Sequence, residues 1–83
     1  MNEQPMPMSA LQVGESAHVV QILPESRLRQ RLTDLGCIEG TSVFCDRTGP
    51  GGNPIAYRIR GALIALRKED SANILVMRKG RAN

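Results

Sequence analysis

Aromatic surface is almost missing from this chain, which has no tryptophan, one phenylalanine and one tyrosine in 83 residues. Proteins that grip single-stranded nucleic acid stack bases on several aromatic faces, so the composition argues against that function. Cysteine is scarce too. Cys37 and Cys45 are the only two, too few for a disulfide framework and without the paired short spacings of a zinc ribbon. No apolar run approaches the roughly 18–20 residues that a membrane helix requires. The first eight residues, MNEQPMPM, are polar and interrupted by proline, unlike the cationic start and apolar centre of a secretory signal. A flexible start over 1–8 and a cytoplasmic location are the expectations. Charge of one sign does not dominate either: 11 Lys and Arg against 8 Asp and Glu leave +3. That mild basic balance favours acidic partners without demanding nucleic acid.

What is present centres on a joint, LRQRLTDLGCIEGTSV at 28–43. Leu28, Leu32 and Leu35 fall at i, i+4 and i+7, one face of a helical period, and polar residues fill the positions between. The pattern predicts an amphipathic helix over about 25–36. Pro24, Glu25 and Ser26 are its start signals, a first-turn proline, a carboxylate at the positive end and a capping hydroxyl. Gly36 stands where a left-handed cap ends the helix, and Gly40 precedes a β-prone run at 41–45.

Around this joint the chain reads as strands. Ser9 is placed to cap a short turn through Leu11. Residues 17–23, AHVVQIL, are β-prone, but Val19 and Val20 would face opposite ways, which a bulge or burial on both faces would explain. TGPGGNP at 48–54 is a loop by composition. From Ile55 the alternation is regular: Ile55, Tyr57 and Ile59 share one face, Ala56, Arg58 and Arg60 the other. Gly61 turns the chain into a returning strand at 62–67, and KEDSAN at 68–73 is turn-prone or briefly helical. A last apolar strand at 74–77 leads to a basic tail, 79–83. The sum is a mainly β chain with one inserted helix after the first strand. The expected fold is a small antiparallel barrel of about five strands, with the leucine stripe covering an open end. One domain, 9–78, accounts for all of it.

Chemistry-bearing residues are few. Val43 and Cys45 lie on the same side of their strand, so the thiols read as core packing. A metal carrier would have to gather His18, Cys37 and Cys45, yet the sequence shows no ligand spacing, so no metal and no cofactor is expected. Nor is there a constellation of acid, base and nucleophile, and no catalytic residue is assigned.

Two segments carry a resemblance. RQRLTDLGCIEGTSV at 29–43 is similar to the helix, Leu-Gly, hydrophobic and Gly-Thr run of the FeoA family. GNPIAYRIRGALIALRKED at 52–70 is similar to its Asp-Pro, strand, Arg-Gly, strand and Ile-Ala-Leu-Arg run. Asn53 stands where that family commonly has aspartate, Glu39 where proline is frequent and Cys37 where a larger aliphatic side chain is usual. The resemblance implies an SH3-like barrel carrying an inserted helix. It also implies a non-catalytic regulatory role in bacterial ferrous iron transport, exercised on FeoB, the membrane transporter with a cytoplasmic GTP-binding portion. On that reading the structural motif is Leu28, Leu32, Leu35, Gly36, Gly40 and Gly61. The docking surface is the loop Pro50, Gly51, Gly52, Asn53, Pro54 with Tyr57, Arg58 and Arg60, joining adaptable backbone, an aromatic ring and fixed positive charge. Neither nucleic acid nor membrane insertion is expected, while weak self-association is left open. The alternative readings are a small basic barrel on nucleic acid and a transition-metal carrier.

Overall fold

Inward-facing residues at every second position tie six strands into one antiparallel sheet, ordered β1-β6-β2-β3-β4-β5. The strands are β1 (Met6–Pro7), β2 (Glu15–Ile22), β3 (Ser42–Thr48), β4 (Ile55–Ile59), β5 (Ala62–Leu66) and β6 (Ile74–Arg81), with helices α1 (Arg29–Asp34) after β2 and α2 (Lys68–Ser71) before β6. This computed structural model describes residues 4–23 and 28–81. In β4, Ile55, Tyr57 and Ile59 are buried and Arg58 is exposed, as strand alternation dictates. In β2 the inward set is Glu15, Ala17 and Val19 until a register shift between Val19 and Gln21 turns Ile22 inward. The bulge therefore reconciles the consecutive valines with one buried face. Glu15, a carboxylate inside the fold, accepts a hydrogen bond from the Gln12 N–H (2.8 Å) and pairs with Arg78 (3.4 Å).

Four expectations are corrected. The expected mainly β, antiparallel architecture of about five strands with an inserted helix is present, as six strands, but the sheet is not closed: among the described residues β1 and β5 remain its two edges. Two residues are too short a ladder to bridge that gap, and Pro7 has no amide hydrogen to contribute. The flexible start expected over 1–8 does not include Met6–Met8, because β1 pairs with Val76 and Leu75 and Met8 is fully buried. Ser9 caps nothing: the turn Met8–Ala10 is a short 3-10 helix with no side-chain cap. At the other end residues 79–81 of the expected basic tail belong to β6, which pairs with β2 through Arg81.

The helix is shorter than its apolar stripe. The expected start at Pro24, Glu25 and Ser26 lies outside the described residues. Over Arg29–Asp34, Leu32 alone is buried, and Leu28 packs against the core from the preceding position. Leu35 is 42% exposed, against the expectation that it would seal the barrel. The cause is the turn that follows. The Gly36 N–H donates to the Thr33 C=O (3.0 Å) and the Cys37 N–H to the Leu32 C=O (2.8 Å), the paired bonds of a Schellman motif. That turn swings Cys37, completely buried, into the space the periodicity had assigned to Leu35.

Gly36 has a φ of +87°, a left-handed backbone that costs other residues about 1–2 kcal/mol. Its bare Cα also leaves room for another element. A β-carbon at Gly36 would lie 2.7 Å from Cδ and 2.8 Å from Nε of Arg60. The two segments that carry the sequence resemblance thus meet, glycine against arginine. Thr41 then locks the joint: its hydroxyl donates to the Gly36 C=O (3.1 Å) and accepts from the Ile38 N–H (3.0 Å). Bonds from the Gly40 N–H to the Val19 C=O (2.7 Å) and from the Val19 N–H to the Thr41 C=O (2.9 Å) tie it to β2.

Gly36→Ala should cost more than the about 1–2 kcal/mol of the left-handed backbone alone, because of the Arg60 contact, measured by urea unfolding. In an Arg60→Ala background the cost should fall to the backbone share alone. An identical cost in both backgrounds would show that the arginine does not restrict this position.

Candidate docking surface

The surface expected from the sequence is not one patch. Tyr57 is completely buried, and its hydroxyl donates to the Met8 C=O at 3.2 Å. It is a core residue with a satisfied polar tip, not an exposed aromatic anchor. Pro50, Gly51, Asn53 and Pro54 are exposed and Gly52 is half-buried, but strand β4 separates them from Arg60 by about 20 Å of extended chain. The loop is also tied down. The Gly49 N–H donates to the Pro54 C=O (2.8 Å) and the Gly52 N–H to the Gly49 C=O (2.9 Å). A β-carbon at Gly49 would sit 2.9 Å from the Asn53 carbonyl oxygen, so this crossing requires glycine. Asn53 Oδ1 accepts the Lys68 N–H at 3.0 Å, filling an orphan donor at the start of α2. The amide oxygen does here what an aspartate oxygen at the same position would do.

A different set of residues converges on the outer face of the sheet. Arg58 of β4 stands opposite Phe44 of β3 and Leu63 of β5, and Phe44 in turn stands opposite Ser16 of β2. Leu63 is 45% exposed, and the Arg58 side chain is 51% exposed. The row therefore runs apolar, cationic, aromatic, polar across four strands. Phe44 and Leu63 were not singled out in the sequence, although their alternation against the buried Val43, Cys45 and Leu66 was readable. Asp46 fixes the row's charge. It occupies the irregularity in β3 between Cys45 and Arg47, and accepts from Arg47 (2.6 Å) and Arg58 (3.2 Å). The hydrogen bond from Arg47, aided by the charges of Arg47 and Arg58, holds the Asp46 carboxyl below its ordinary range. Arg60 ends the hairpin with a φ of +51°. With Gly61 it forms a two-residue turn between the paired Ile59 and Ala62.

A cleft of about 320 Å³ lies elsewhere, lined by Ile22, Arg29, Thr33, Ile38 and Glu39. It joins the end of β2, one face of α1 and the turn leading to β3. The sequence offered no sign of it, because its walls come from three separate segments.

The three metal-ligand candidates are not brought together. Cys37 and Cys45 are buried, whereas His18 falls between the inward Ala17 and Val19 and pairs with Ser42. Among the described residues no three His, Cys, Asp or Glu side chains form a group able to hold a metal. Burial raises the Cys37 thiol pKa, and burial followed by the charges of Glu15 and Asp46 raises that of Cys45. Both are held as neutral thiols, the unreactive form. Among the described residues no helix is long and apolar enough to cross a membrane.

A mainly antiparallel β-sheet with a short inserted helix and one side left to solvent defines a small domain of the SH3-like class. Within that class the chain belongs to the FeoA domain family, which it matches over residues 6–78. It is 31% identical over 71 residues to the Fe(2+) transport protein A/Fe(2+) transporter FeoB fusion protein of Porphyromonas gingivalis, a match covering 86% of this chain and 8% of that protein. The solved FeoA-like protein of Clostridium acetobutylicum superposes with a TM-score of 0.85 at 30% identity, covering 100% of this chain and 95% of its own. The zinc-bound FeoA of Stenotrophomonas maltophilia, a prokaryotic SH3 domain protein, superposes with a TM-score of 0.80 at 27% identity, covering 93% and 99%.

Two measurements test the assignments at this surface. Burial pushes the Tyr57 pKa up to about 12, and with one tyrosine and no tryptophan the phenolate absorbance reports Tyr57 alone. Its titration midpoint in the folded protein should lie near 12 rather than the ordinary 10.0. Because the folded value is raised, stability should be unaffected by this group below pH 10 and fall as pH climbs from there towards 12. Tyr57→Phe should flatten that alkaline loss. At the loop, Asn53→Ala should cost about 1 kcal/mol by uncapping α2, and Asn53→Asp should restore the wild-type unfolding midpoint.

Proposed function

We propose that this chain is a non-catalytic accessory module of ferrous iron transport. It docks on the cytoplasmic portion of a FeoB-type transporter and biases that transporter's conformational or GTP cycle. The observation that carries the reading is the fusion relative, in which a stretch similar to nearly the whole chain belongs to one polypeptide with the transporter. Covalent linkage supports association, since two modules on one chain meet at high effective concentration. The geometry supports docking rather than chemistry: the outer row presents a cation held between an exposed leucine and the only phenylalanine. A regulator of this kind acts through differential affinity for two states of its partner, so its contacts must favour one of them. The location that goes with the role is the cytoplasm.

The surface assigned to this role is Arg58 with Phe44 and Leu63, with Arg60 at the hairpin tip. Replacing Arg58 and Arg60 by glutamate, in a protein that still melts cooperatively, should weaken binding to the transporter's GTP-binding portion at least tenfold, and iron uptake should change with it. Unchanged binding and uptake in the folded variant would remove this surface from consideration.

A further inference from the structure

The two edges of the sheet are treated very differently. Edge β1 is two residues long and contains proline, the usual means of denying a partner strand a template. Edge β5 is the five-residue run ALIAL, without proline, charge or bulge. Its pairs with β4 are Ile59 with Ala62, Arg58 with Leu63, Tyr57 with Ile64, Ala56 with Ala65 and Ile55 with Leu66. In a hairpin closed by a two-residue turn, the pair next to the turn and every second pair after it exchange both ladder bonds. The backbone groups of Ala62, Ile64 and Leu66 are thus spent on β4, and those of Leu63 and Ala65 face the open edge. Both residues are exposed.

Charge selects the occupant. Cations stand at both ends of this edge, Arg60 before it and Arg67 and Lys68 after it, with Arg58 beside Leu63. Two of these cations have acidic partners: Asp46 accepts from Arg58 at 3.2 Å, and Glu69 pairs with Arg67 at 3.8 Å where both side chains are 69% exposed, a separation and exposure at which an ion pair is worth little; Arg60 and Lys68 add to the cationic side. A second copy is a poor occupant. Antiparallel pairing of β5 with itself about Ile64 would set Gly61 against Arg67 and Arg60 against Lys68, cation facing cation. We propose that β5 is an edge-docking strand whose occupant is an extended segment of a partner protein, apolar at its centre and carrying carboxylates at its ends. Backbone bonds to Leu63 and Ala65 supply the register, and the flanking arginines and lysine supply the selection. The inference rests on the reading of this domain as a docking module, but its test uses no transporter, so either can fail alone.

The probes are two capped synthetic peptides, Glu-Glu-Val-Thr-Val-Glu-Glu and Lys-Lys-Val-Thr-Val-Lys-Lys, titrated into isotope-labelled protein while backbone amide shifts are followed. The acidic peptide should shift the Leu63 and Ala65 amides saturably, bind at least tenfold more tightly than the lysine peptide and weaken as salt is raised. Ala65→Pro removes an outward amide that β4 does not use and should abolish binding. Should that variant not fold, Leu63→Glu, at an exposed position, should reduce affinity for the acidic peptide at least tenfold. Equal binding of the two peptides, no saturable shift at millimolar concentration, shifts centred away from β5, or wild-type binding by the folded variants would each overturn the proposal. So would concentration-dependent broadening of the same amides without peptide, which would assign the edge to a second copy.

Discussion

The close approach of Gly36 and Arg60 is the constraint on which the rest of the domain turns. A left-handed residue ends α1, and its Schellman turn drives Cys37 into the core while leaving Leu35 in solvent. Because Gly36 has no β-carbon, the Arg60 side chain can cross directly above it, bringing the tip of the β4–β5 hairpin against the end of the helix. Arg60 itself takes a positive φ, a position for which a hairpin turn of this kind favours asparagine, aspartate or glycine. The arginine is therefore held at a backbone cost, and the contact over Gly36 is the compensating gain that the structure offers. Thr41, bonded to both sides of the same turn, transmits the arrangement to β2 and hence to the centre of the sheet.

From this frame follows the division of the sheet into two faces with different work. The inner face takes the aliphatic residues, both thiols and Tyr57, leaving no polar side-chain atom buried without a partner among the described residues. The outer face takes Arg58, Phe44 and Leu63, and Asp46 restrains the arginine from below. An acidic partner would compete with Asp46 for that guanidinium, so docking there exchanges one carboxylate for another while covering an exposed leucine and part of an aromatic ring. Such a surface suits recognition, where an exchange of partners at modest cost is an advantage. The proposed place beside a transporter would fit that economy, since such a role needs one adhesive face and a rigid back.

Much of the fold was legible because period-two alternation at 55–59 and the glycine after the leucine stripe are local signals with few alternative meanings. The consecutive valines pointed to either a bulge in β2 or burial on both faces, and the register shift between Val19 and Gln21 is the former. The helix length was not legible, since Leu35 satisfies the stripe in sequence but the Schellman turn gives its place to Cys37, two residues later. The sixth strand, the edge at Met6–Pro7, is too short to announce itself in the sequence. The candidate surface was half legible. Arg58 was placed correctly by alternation, and the same alternation placed Tyr57 with Ile55 and Ile59, so its burial followed from the pattern even though it was assigned to the surface. Phe44 and Leu63 become partners of Arg58 only once strand register is known, and register joins residues 14 and 5 positions away in the chain. The loop at 48–54 looked free by composition, but a side-chain bond from Asn53 to α2 spans 15 residues, and no local pattern reveals it.

The proposed contact is between the outer face of the sheet and the transporter. It is tested most directly by following backbone amide shifts of the labelled domain as the cytoplasmic GTP-binding portion of a FeoB-type transporter is added in each nucleotide state. Shifts should concentrate on Phe44, Arg58, Leu63 and Ala65 and be larger in one nucleotide state than in the other. Shifts confined to the cleft of Ile22, Arg29 and Ile38, or no shifts in any nucleotide state, would contradict it.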